Sequence, residues 1–353
     1  MTKAFDQHQA TNDGRLRSQG IVIALLSILP LIMIVFNGRD ALTIVSYFTR
    51  PEAEMPKVQS SSSLTNTNPI PPSAVRATPL RFGIYDPEKK FESDSNLKIK
   101  HLYISWVNFD VEQLSTRLEE LEHKGFEPLL TIEPWKKDGS ATLLLTAISN
   151  GEYDEQIDQV IRAMSVLKRP ALISWGHEMD QDITVRYPWS NSPAEQYIGA
   201  YRYVVDRMRN KLTVPHKWVW TGVMKESTRS YWPGASYVDF IGMPIYSFPP
   251  WDLETYGYIR DFKATFNDKK RFVSEFGKPI IITELGVNGS DDFERFWLQQ
   301  AFVDLDAQSD LDSVIFFYAK DSEGVWGQKW STPDWRVDPE FLVGLVDWKV
   351  RSR

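Results

Sequence analysis

The sequence predicts an α/β chain whose main body is a (β/α)8 TIM barrel, and three observations carry that expectation. Between Leu80 and Trp348 eight short apolar runs recur, most of them continuous, as strands covered on both faces read. Segments of helical period separate most of the runs. An apolar fraction of 42% and a charged fraction of 25% belong to a chain that buries a core.

The strand candidates are Leu80–Tyr85, Lys100–Trp106, Pro128–Ile132, Ala171–Trp175, Lys217–Thr221, Val238–Tyr246, Pro279–Thr283 and Ser313–Tyr318. Val111, Leu114, Leu118 and Leu121 form a helical stripe, with Asp110 placed to cap its start and Gly125 to stop it. Tyr197, Ile198, Tyr201, Val204, Val205 and Met208 form a second stripe at helical spacing. Further helices are expected near Tyr153–Leu167, Leu253–Phe276, Asp292–Leu305 and Pro339–Val350. The connections from the first to the second run and from the fifth to the sixth show no long helical pattern.

Ahead of the barrel the chain changes character twice. Ile21 to Phe36 is an uncharged apolar run that would span about 25 Å as a helix, slightly short of the ~30 Å hydrocarbon core. Pro30 within it is tolerated by a membrane helix far better than by a soluble one. No small-residue cleavage site follows, so the run reads as an uncleaved anchor. From Pro51 to Pro79 the chain is rich in Pro, Ser and Thr and buries too little apolar surface to order itself. The expected organisation is a tail (1–19), a single transmembrane signal-anchor (20–37), a disordered linker (38–79) and a barrel domain (80–353). With the anchor first and only a short tail before it, the barrel is expected outside the cytoplasm, periplasmic or extracellular.

Composition also excludes. A formal net charge of −7 argues against nucleic-acid binding, which needs a basic face. The absence of cysteine removes disulfide scaffolds, thiol nucleophiles and Cys-based metal sites. His177-Glu178 does not continue into a zinc-protease motif, since Asp180, Gln181 and Asp182 follow with no second His. Glycine-rich phosphate loops and a GxSxG elbow are absent too. No metal and no cofactor is expected.

Barrel active sites lie at the C-terminal ends of the strands, so polar residues closing an apolar run matter most. The third run closes as TIEPW (Glu133, Trp135), the fourth as ISWGHEM (Trp175, His177, Glu178) and the seventh as PIIITELG (Glu284). Tyr187, Pro188 and Trp189 follow the fourth, and all 13 tryptophans lie beyond residue 100. Two carboxylates enclosed by aromatic rings suit glycoside hydrolysis. One must hold a proton for the leaving oxygen, and the other must be ionised to attack the anomeric carbon. Aromatic faces meet the C–H faces of sugar rings and exclude water.

The order of these motifs resembles the (β/α)8 retaining glycosidases with an acid/base on strand four and a nucleophile on strand seven. His177-Glu178-Met179, PIYSF (Pro244 to Phe248), ITELG (Ile282 to Gly286) and TIEPW together resemble glycoside hydrolase family 26 over roughly residues 80–335. The resemblance implies Glu178 as general acid/base, Glu284 as nucleophile, His177 as the neighbour that orients Glu178 and contacts the sugar, and Tyr246 as the hydrogen-bond donor to Glu284. It further implies Trp326 as a stacking platform near the cleavage point, with Trp135 and Trp189 as sugar contacts; Trp175 and Glu133 complete the candidate substrate-binding set. Two stretches depart from the family pattern: Asp180-Gln181-Asp182-Ile183-Thr184 after the acid/base, and WTGVMKES (Trp220 to Ser227) on strand five.

The expected function is a membrane-anchored retaining endo-glycosidase with a monomeric catalytic domain, acting on a β-linked polysaccharide. The family default is β-1,4-mannan, with mixed-linkage β-1,3-1,4-glucan as runner-up. The rival reading is a non-catalytic polysaccharide-binding or scaffold protein of an exopolysaccharide export system.

Overall fold

A computed structural model describes residues 79–136, 143–182 and 186–352. The proposed tail and anchor and nearly all of the proposed linker lie outside the described residues. No helix among the described residues is long and apolar enough to cross a membrane.

Eight parallel strands close into a barrel in sequence order: β1 Arg81–Tyr85, β2 Leu97–Ser105, β3 Glu127–Glu133, β4 Ala171–Trp175, β5 His216–Thr221, β6 Phe240–Ser247, β7 Ile280–Val287 and β8 Leu311–Phe317. The barrel expected from the apolar runs is thus present. Its helices are α1 Val111–His123, α2 Leu144–Ser149, α3 Asp154–Met164, α4 Ala194–Lys211, α5 Pro249–Tyr256, α6 Phe262–Lys270, α7 Asp291–Asp304 and α8 Pro339–Arg351.

Local chemistry sets these boundaries. The Asp110 carboxylate accepts from the Gln113 N–H (2.9 Å) at the start of α1, and Leu114, Leu118 and Leu121 are buried beneath it. Ser290 and Asp338 cap α7 and α8 in the same way. The single long helical segment expected over Leu253–Phe276 is instead two helices. Gly257 ends α5 at φ 77°, and Asp261 restarts the chain as the N-cap of α6. No helix links β1 to β2, and only a short 3-10 turn (Glu226–Tyr231) precedes β6, as the missing periodicity implied.

Side-chain parity divides the molecule. Ile99, Leu129, Leu172, Val219, Ile281 and Ile315 fill the barrel interior as their own buried cluster, distinct from the larger core between strands and helices. Two residues further along their strands stand His101, Thr131, Ser174, Thr221 and Thr283, all buried. Here His101 Nε2 lies 2.8 Å from Thr131 Oγ1, and the Ser174 and Thr221 hydroxyls are 3.3 Å apart. The interior therefore turns from apolar to hydroxyl-bearing on the way to the C-terminal mouth. Gly242 is required at this level, because a Cβ there would fall 2.2 Å from Thr221 Oγ1 and 2.8 Å from Thr283 Cγ2.

Candidate active site

At the mouth the inward positions are Tyr85, Tyr103, Glu133, Tyr246, Glu284 and Phe317. All but Glu284 are half-buried, as the mouth of the barrel requires. Glu284 was expected just past the end of its strand, but it lies inside β7, which runs on to Val287. The register explains how it still faces the mouth. Against β6, Met243 pairs with Ile282 and Pro244 with Glu284, so Thr283 is an extra residue; the register also slips against β8 between Ile282 and Leu285. This bulge re-aims the strand, so that Thr283 meets the interior layer while Glu284 also turns inward.

Both carboxylate oxygens of Glu284 are held. Tyr103 Oη donates to Oε1 and Tyr246 Oη to Oε2, each at 2.6 Å. Burial and then the charge of Glu284 push both tyrosine hydroxyls well above their ordinary value, so they remain donors. Burial, followed by the like charge of Glu178, pushes the Glu284 carboxyl up. The two tyrosine donors and Arg186 pull it back. A carboxylate receiving two hydroxyl donors is arranged for its ionised form.

Glu178 is positioned by backbone. It sits at φ 53°, a left-handed conformation that costs a non-glycine residue about 1–2 kcal/mol. Gly176 N–H donates to Ile132 O on β3 (3.1 Å), and Glu178 N–H donates to Thr221 O on β5 (2.8 Å). The carbonyls of the segment are fixed in succession. Gly176 O accepts from Tyr197 Oη (3.1 Å), His177 O from Trp189 Nε1 (2.7 Å), Glu178 O from Gln181 N–H (3.1 Å) and Met179 O from Asn191 N–H (2.8 Å). The Glu178 side chain is nearly buried; its Oε2 accepts from Gln181 Nε2 (2.8 Å) and lies 3.9 Å from Arg186 Nη1.

His177 is buried beside the pair, its Nε2 3.2 Å from Tyr187 Oη. Burial and then Arg186 push its imidazole down to about 3, so it is neutral at neutral pH. Trp135 and Glu133 line the same side: Trp135 Nε1 donates to Glu133 Oε2 (3.0 Å), and both remain half-buried. Trp326 lies across the mouth with its centroid 5.7 Å from Tyr246, and its Nε1 donates to Asp321 Oδ2 (2.8 Å). Trp335 Nε1 donates to the same oxygen (3.0 Å), which fixes both indoles.

Two candidate sugar contacts are corrected. Trp175 is out of phase with the inward residues Leu172 and Ser174, so it faces the helices. It is 1% exposed and packs against Trp106, Tyr197 and Tyr201, out of reach of a ligand. Trp189 is wholly buried, stacked on Tyr187 (4.7 Å) and bonded to His177 O; it positions the segment that carries Glu178 and does not present a face to a ligand.

Tyr103, Arg186, Gln181 and Asp321 join the site without having been singled out by motif. The alternation Ile99, His101, Tyr103 along β2 marks Tyr103 as inward-facing; the others lie in loops without periodicity. The two departures from the family pattern also meet. Asp180, buried, accepts from Val223 N–H (2.8 Å), Met224 N–H (3.1 Å) and the Thr228 hydroxyl, and Lys225 pairs with Asp182. They form one hydrogen-bonded unit behind Glu178. No cluster of three or more His, Asp or Glu among the described residues is arranged to hold a metal ion.

Residues 151–274 match the sequence profile of glycosyl hydrolase family 26. The chain is 24% identical over 261 residues to endoglucanase H of Acetivibrio thermocellus, covering 70% of this chain and 27% of the relative. It is 24% identical over 219 residues to beta-1,3-xylanase TXYA of a Vibrio species, covering 58% of this chain and 42% of the relative. The chain thus spans well under half the length of these relatives. Among solved structures, a GH26 β-mannanase from Bacteroides ovatus superposes with a TM-score of 0.53 at 17% identity, covering 77% of this chain and 85% of the other. A GH26C structure from Muricauda sp. gives 0.54 at 16% identity, covering 69% and 80%. The resemblance drawn from the strand motifs is borne out: residues 151–274 match the profile of glycosyl hydrolase family 26, and the barrel is the fold these solved structures share.

Proposed function

We propose that this chain is a retaining endo-glycosidase of β-linked polysaccharide, with Glu284 as nucleophile and Glu178 as acid/base. One observation carries the reading: two carboxyls share the mouth of the barrel, and one of them has both oxygens held by tyrosine hydroxyls while the other stands beside it on a pinned loop. In the first step the Glu284 carboxylate attacks the anomeric carbon, and Glu178 gives its proton to the departing glycosidic oxygen. The product is a glycosyl ester of Glu284. In the second step water attacks the same carbon while Glu178 takes its proton, and the ester C–O bond breaks to restore the Glu284 carboxylate. Tyr103 and Tyr246 hold the nucleophile for attack, neutral His177 backs the acid/base, and Trp326 stacks on the sugar beside the cleavage point.

The substrate is β-1,4-mannan first, in line with the mannanase among the structural neighbours, and mixed-linkage β-1,3-1,4-glucan second. The apolar run Ile21–Phe36 supports a membrane anchor that holds the barrel outside the cytoplasm. Reducing-end release from galactomannan, lichenan and β-1,3-xylan tests the chemistry. Glu284→Ala abolishes release, and added azide restores turnover of an activated aryl glycoside as a glycosyl azide of inverted configuration. A Glu284→Ala variant as active as the parent overturns the assignment. Membrane-fraction recovery that survives high salt tests the anchor.

A further inference from the structure

The segment following β6 carries more exposed apolar surface than a single cleavage point needs. Leu253, Tyr256 and Tyr258 are 48%, 39% and 53% exposed. Isolated exposed rings need no explanation, but these are linked to the site. Ring centroids step from Tyr246 to Trp326 (5.7 Å), to Trp251 (5.9 Å), to Tyr256 (5.4 Å) and to Tyr258 (6.5 Å).

The outer part of this series is built. The Arg260 guanidinium lies 3.9 Å from the Tyr256 centroid and 5.4 Å from that of Trp251. Arg260 is itself held by Asp252, Nε to Oδ1 at 3.0 Å, with side chains only 6% and 1% exposed. A buried ion pair is an expensive way to stabilise a fold, and this one fixes a ring that stays open to solvent. Lys329 pairs with Glu254, tying the segment to the loop that carries Trp326.

We infer that Trp251, Tyr256 and Tyr258 extend the cleft into a platform for further pyranose rings of the glycan that Trp326 receives. The inference rests on the glycosidase reading of the site. Continuity through Trp326 makes the occupant the same chain. The cations beside the platform, Arg260 and Lys329, are each matched by a carboxylate of the segment, which fits a neutral glycan rather than an acidic one. Rings already held in place lose little freedom on binding, which favours affinity along a polymer.

The test uses the full chain and a Tyr256→Ala/Tyr258→Ala variant, whose truncated rings are exposed. kcat/KM is measured on galactomannan and lichenan and on a dinitrophenyl disaccharide of the sugar that is cleaved. The loss on the polysaccharide exceeds that on the short substrate by about tenfold, the worth of a lost ring contact or two. Equal losses on both, or none on the polysaccharide, overturn the platform. Retardation in gels containing the same polysaccharides separates the two readings. A parent chain that cleaves nothing yet is retarded, with retardation lost in the variant, overturns the glycosidase reading and keeps the platform. A parent neither active nor retarded overturns both.

Discussion

The ends of β4 and β7 carry the two carboxylates by opposite means. Glu284 lies within β7 and owes its aim to a one-residue bulge and its hold to two side-chain hydroxyls. Glu178 lies beyond its strand in a left-handed backbone conformation and owes its place to main-chain hydrogen bonds. The difference matches the two tasks proposed for them. A nucleophile must present a fixed oxygen to a carbon, so both of its oxygens are held. An acid/base must exchange a proton with a leaving group and then with water, so its backbone is fixed while its carboxyl keeps looser partners, Gln181 and Arg186.

Removing each carboxyl gives the largest effects and separates the roles. Glu284→Ala loses about 10⁴-fold or more in kcat on every substrate. Glu178→Ala loses about 10²–10⁴-fold on polysaccharide but far less on a dinitrophenyl glycoside, whose leaving group needs no proton. Equal losses for both variants on both substrates would erase the distinction. Tyr103→Phe and Tyr246→Phe each cost about 10–100-fold in kcat, the worth of a hydrogen bond to a charged group. Their sign in pH is definite: the tyrosines lower the Glu284 pKa, so removing one raises it and moves the acid limb of kcat/KM to higher pH. Arg186→Ala moves that limb in the same direction, with only about a threefold loss in rate, because the guanidinium stands 3.9 Å from Glu178.

The smallest effect concerns a carboxyl away from the pair. Burial pushes Glu294, at the start of α7, up to about 7, even though Gly289 N–H donates to it. A raised folded-state pKa stabilises below the unfolded value near 4.5 and loses that contribution as pH rises towards 7. Glu294→Gln is therefore expected to raise Tm relative to the parent at pH 8 and to leave it unchanged near pH 4. Thermal unfolding at the two pH values checks it.

Much of the site was legible because its motifs are local. Glu178, His177, Glu284 and Tyr246 each close a run whose apolar pattern marks the strand's end. Trp175 and Trp189 misled for a physical reason. A tryptophan at a strand end or in the loop after it is equally able to face a cleft or a helix layer, and only parity against the barrel interior separates the two. Tyr103 could have been read by that parity on β2, whereas Arg186, Gln181 and Asp321 belong to loops and become neighbours only when the barrel closes.

The sequence by itself determined the barrel and marked the two carboxylates as candidates. Hydrophobic period and strand-end chemistry are properties of consecutive residues, and the burial of apolar area acts wherever they fall. Tertiary structure alone decided which oxygens are held, which tryptophans meet the cleft, and that Asp180 and the loop after β5 form one unit. Those outcomes depend on strand register, where a single extra residue in β7 redirects a side chain, and register is set by all eight strands together.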